Sequence, residues 1–198
     1  MFTSVLGLLT LLMPCFPRSS YSQGVAEKAD AVLLFSRSIE LIEIAEELES
    51  KGDDLLRIAK SSAQMAERSN AQTHTSIEDA QRVWIMFEVW RSIHETQLIC
   101  LYEAQLLSLS TFIKPDLKRA YYDLKKMSLK DSTNWVALNL EKLQSHYGDI
   151  DNVAALHLID EAKKNMKLSL KHIESSLKDI TTIEELINST NETGDAVN

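Results

Sequence analysis

The chain has 198 residues, of which 44% are hydrophobic and 25% charged, with a formal net charge of −8. That length and balance suit one globular domain around a single core, and the acidic excess disfavours binding to nucleic acids or anionic lipid surfaces. Only 5 Gly and 3 Pro occur, and Pro14 and Pro17 stand near the start, so sparse turn punctuation favours helices over many short strands.

Met1 to Met13 forms an apolar run as long as the core of a signal peptide and shorter than the roughly 20 residues that cross a bilayer. Pro14 breaks the run, and Ser20 and Ser22 are small residues in the positions that signal peptidase favours. Residues 1–22 are therefore read as a cleaved signal peptide, with Gly24 and Ala26 marking a second cut, although residues 1–4 contain no Lys or Arg. Pro14 directly before Cys15 argues against lipidation there. Cleavage takes the net charge from −8 to −9, because one Arg and no acid depart. It also leaves Cys100 alone, so no intramolecular disulfide forms. A secreted or periplasmic protein without a transmembrane segment is expected.

Residues 23–190 are expected to form an all-α domain, an up-and-down bundle of about five or six helices around a long central helix. From Val25 to Glu49 apolar residues recur in the columns Val25/Val32/Ile39 and Leu34/Leu41/Leu48, with Ala31/Ser38/Ala45 small between them. Gly52 interrupts, and the sequence leaves open whether it breaks or bends the helix, which continues through Leu55, Ala59 and Ala66. Residues 69–75 read as a loop. Thr75 and Glu78 have capping-box spacing, and the next helix runs to Ile113, about 57 Å, before Lys114-Pro115 stops it. It is apolar around most of its circumference and is read as the central helix. Pro115 starts a helix to about Leu129, Asp131 or Ser132 caps a short one closed by Gly148, and Asp149 or Asp151 begins the last long one. Thr181 to Glu185 offers a further capping box before a flexible tail at residues 191–198. Asn188 and Asn191 lie in N-x-[ST] sequons, short signals that arise often by chance.

Catalytic patterns are missing: the sequence has no E-x-x-H, C-x-x-C-H, G-x-S-x-G, H-E-x-x-H or phosphate-cradling glycine loop. No cofactor, metal site or enzymatic activity is expected. Glu88, Arg91 and Glu95 are spaced for an ion-pair ladder on the central helix. Trp90, His94 and Cys100 are the residues that could line a ligand pocket there, although a lone histidine, a lone cysteine and regularly spaced aromatics are more often packing residues. The acidic run from Glu40 to Glu49 and the lysines Lys163, Lys164, Lys167, Lys171 and Lys178 read as solvated faces that could also meet each other. Two functions follow: engagement of another protein or of itself through an apolar helical face, and, as the alternative, a small-ligand or sensory bundle.

Overall fold

The computed structural model describes residues 25–70, 77–114 and 117–195. The expected signal peptide, Thr75 and Pro115 lie outside these residues. Four α-helices make up the fold: α1 Val25–Asn70, α2 Ile77–Leu109, α3 Lys118–His146 and α4 Val153–Asp195. Single 3-10 turns, Ser110–Phe112 and Tyr147–Asp149, follow α2 and α3. No strand occurs among the described residues.

The helices pack in cyclic order, each against the next and α4 against α1. Cross-links fix their directions. Arg37 and Lys51 of α1 reach Asp179 and Glu161 of α4 at 3.0 Å each, so these two run antiparallel. Asn139 of α3 bonds Thr96 of α2, while Ser132 and Lys125, earlier in α3, reach Glu103, later in α2. At the loop end Arg82 of α2 pairs with Asp151, 2.9 Å away, just before α4.

A strict 3-4 spacing of buried positions explains this packing. On α4 the buried residues are Ala155, Ile159, Ala162, Met166, Ser169, Ile173, Ser176, Ile180 and Ile183. On α3 they are Tyr122, Lys125, Leu129, Ser132, Val136, Asn139 and Leu143. Such a seven-residue repeat keeps one narrow seam facing the bundle axis. Each seam has two columns of different character. One is large and apolar, as in Leu34, Leu41, Leu48 and Leu55 of α1; the other is small or polar, as in Ser38, Ala45 and Ala59. Large residues of one helix can then fill the space left by small residues of its neighbour.

Several expectations are corrected. α3 runs unbroken across Asp131 and Ser132, because Ser132 turns inward onto Glu103 instead of capping a helix. α4 likewise passes Thr181, whose hydroxyl bonds the Leu177 carbonyl within the helix, and extends to Asp195, into the stretch read as a tail. The described residues thus hold four α-helices, not five or six. Gly52 does not break α1: it sits inside a continuous helix, and a Cβ there would stand 3.5 Å from Ile93 Cγ2 and 3.7 Å from Trp90 Cδ1. Nor is α2 a central helix. It packs chiefly between α1 and α3 and leaves Trp84, Leu98, Tyr102 and Leu109 exposed, so part of its apolar circumference faces outward. No described helix is long and apolar enough to cross a membrane.

Candidate functional site

The residues singled out on α2 separate into three environments. Arg91 stands between Glu88 and Glu95, with Nε 2.9 Å from Glu95 Oε1 and a guanidinium nitrogen 3.7 Å from Glu88. The two carboxylates raise the Arg91 pKa, chiefly through the Glu95 hydrogen bond. Trp90 and His94 stack with ring centroids 5.5 Å apart and an interplanar angle of 7°. His94 Nδ1 lies 2.9 Å from Gln97 Oε1, so its polar edge already has a partner on the same helix. Cys100 joins neither group. It is fully buried, and desolvation pushes its thiol up to about 12, opposed by a hydrogen bond with Ser169 of α4. A thiol kept protonated at neutral pH is a poor nucleophile and a poor metal ligand. Among the described residues no three His, Cys, Asp or Glu side chains gather as a metal site.

One turn beyond Cys100, sequence reasoning missed the most unusual chemistry in the core. Glu103 and Lys125 form an ion pair with side-chain exposures of 0% and 1%. Lys125 Nζ donates to Glu103 Oε2, while the Ser128 and Ser132 hydroxyls both donate to Oε1 at 2.7 Å. The carboxylate is therefore satisfied on both oxygens, which a buried charge requires. Burial lowers the Lys125 pKa, and Glu103 only partly offsets this. Next along the seam, Asn139 Nδ2 donates to Thr96 Oγ1 at 3.4 Å, and the Thr96 hydroxyl donates to the Ser92 carbonyl. Where α2 faces α3, then, both polar columns meet: Thr96, Glu103 and Ser110 against Lys125, Ser132 and Asn139.

Immediately outside this polar seam the surface turns apolar. A cleft of about 410 Å³ opens between α2 and α3, floored by Lys125, Ser128 and Ser132 and walled by Tyr102, Tyr121 and Trp135. Tyr121 donates its hydroxyl to the Leu106 carbonyl across the seam, and burial raises its pKa. Along α3 and its N-cap residue Leu117 a second seven-residue column faces outward here: Leu117, Leu124, Asp131 and Leu138, all exposed. Trp135 and Leu124 are 55% and 65% exposed, although the sequence pattern places large apolar residues of this kind in a core. Single exposed apolar side chains are ordinary, and these are set apart by sharing one helix face beside the cleft. The signal for the column was present at every seventh position, but periodicity alone does not say which of two apolar columns is buried.

No protein-family model matches the chain, and neither a curated protein nor a solved structure matches it. Function therefore rests on the geometry just described.

Proposed function

We propose that this protein is an exported, non-enzymatic interaction protein that docks a helix of another protein, or assembles with itself, through the outward face of α2 and α3. The observation that carries this reading is the exposed heptad column Leu117, Leu124 and Leu138, flanked by Tyr121 and Trp135 and facing Tyr102 across a cleft. Apolar residues at seven-residue spacing form the face an amphipathic helix needs for knobs-into-holes packing. Burying such side chains contributes about 25 cal/mol per Å² of apolar area, so a few of them suffice as a docking centre. The candidate reactive groups support a non-catalytic role: the Cys100 thiol is buried and protonated, and Glu103 is engaged by Lys125, Ser128 and Ser132. Export rests on the N-terminal sequence pattern and places the partner in the periplasm or outside the cell.

Native mass spectrometry of the full chain recovered from its own host's envelope or extracellular fraction tests the proposal. The expected result is a chain beginning at Gln23, present as a defined oligomer or in complex with a protein. That species should dissociate in the Leu124→Glu/Trp135→Glu variant. A monomer carrying a reproducible small-molecule mass, unchanged by the variant, would overturn the docking role in favour of the ligand-binding alternative.

A further inference from the structure

The exposed column on α3 is apolar except at one place. Between Leu124 and Leu138 the position is occupied by Asp131, which lines the cleft and is exposed. Lys125 is committed to Glu103, Lys126 to Glu184 and Asp123, and Arg91 to Glu88 and Glu95. Asp131 has no ion-pair or hydrogen-bond partner among the described residues. Of the residues lining the cleft Lys125 alone is cationic, and its ammonium is taken by Glu103.

Any apolar helix laid along this column covers Asp131 and strips water from its carboxylate. That is unfavourable unless the incoming surface supplies a partner. We propose that the partner is an amphipathic helix with apolar residues at seven-residue spacing and a single Lys or Arg at the level of Asp131. This inference rests on the docking role proposed above. The cation would pair with the carboxylate and lie beside the exposed Trp135 ring, one helical turn along, where a cation–π contact adds to the pairing. Charge argues against the competing occupants. A second copy packed symmetrically about the middle of the column sets each Asp131 opposite Leu124, which supplies no cation, and an anionic membrane meets both Asp131 and a chain of net charge −8. The position thus acts as a selection device: like charge opposite Asp131 is rejected and opposite charge fixes the register.

A display library of helical peptides, with Leu at heptad positions and one randomised central position, tests this against the full chain as bait. Lys and Arg should be enriched over Asp and Glu by about fivefold, the upper range for a partly exposed pair. On an Asp131→Lys bait, checked by circular dichroism for an unchanged helical fold, the preference should invert. Enrichment of apolar helices with no charge preference, or with the same preference on the Asp131→Lys bait, overturns the cation and leaves docking intact. No enrichment relative to a Leu124→Glu/Trp135→Glu bait overturns both.

Discussion

The α1–α2 and α2–α3 seams are built on the same seven-residue repeat and differ in what they bury. Against α1, α2 presents Ile93 and the half-buried Trp90, and Gly52 leaves room for both. Against α3 it presents Thr96 and Glu103, with Lys125, Ser132 and Asn139 opposite, and the apolar residues move to the outer surface. The first seam puts its apolar area into the core. The second gives up part of that gain, holds its register with an ion pair and hydrogen bonds, and keeps an apolar face outside. A buried polar pair is weak evidence for stability and a well-attested way to fix helix register. The contrast teaches that α2 and α3 hold their register through polar groups inward, which leaves apolar side chains outside for the docking proposed above.

Breaking the polar seam should have the largest effect. Lys125→Met leaves the Glu103 carboxylate buried with only two serine donors, and a loss of about 3–5 kcal/mol in urea unfolding is expected. The paired Glu103→Met/Lys125→Met variant should recover that loss or exceed the wild type, because an apolar pair removes the desolvation cost of both ions.

The thiol beside this seam gives a pH test. Folding raises the Cys100 pKa from 9.0 to about 12. The folded chain therefore holds the proton through a window in which the unfolded chain releases it. The stability is fully present below pH 9 and is lost progressively as pH rises toward 12. Chemical denaturation across that range should show a downward slope that is shallower in a Cys100→Ala variant. Iodoacetamide should label Cys100 slowly in the native chain and quickly in urea.

On the apolar seam, Gly52→Ala should stabilise the chain by about 0.5–1 kcal/mol, read as a higher thermal midpoint. The added methyl meets Ile93 and Trp90 at ordinary contact distance, and glycine's entropic cost inside a helix is removed. Gly52→Leu should destabilise instead, since it overfills the space beside Trp90. The smallest stability change is expected outside the core. Leu124→Glu/Trp135→Glu should alter folding by no more than about 0.5 kcal/mol while abolishing association.

The seven-residue repeat was legible in the sequence, and so was much of its phase. Leu34, Leu41 and Leu48 on α1 are buried where their spacing places them. Competing apolar columns were not resolved. Val32 and Ile39 read as core and stand exposed at 70% and 42%, because burial is decided by the neighbouring helix and not by hydrophobicity alone. Helix divisions at Ser132 and Thr181 failed for a related reason: residues that cap helices also bond inward or back along the helix once tertiary contacts exist. Of the candidate site, the Glu88–Arg91–Glu95 ladder and the Trp90–His94 stack follow from spacing on one helix. The Glu103–Lys125 pair joins two helices, and nothing in either segment alone marks it.

Site-specific photo-crosslinking in the native host tests the central claim most directly, with a crosslinking amino acid placed in turn at Leu124, Trp135, Lys130 and Arg57. Leu124 and Trp135 belong to the outward column and its flank, while Lys130 and Arg57 are exposed elsewhere. A discrete adduct from 124 and 135, with none from 130 or 57, is the predicted result. Equal crosslinking from all four, or none from the column, would contradict docking through the α2–α3 face.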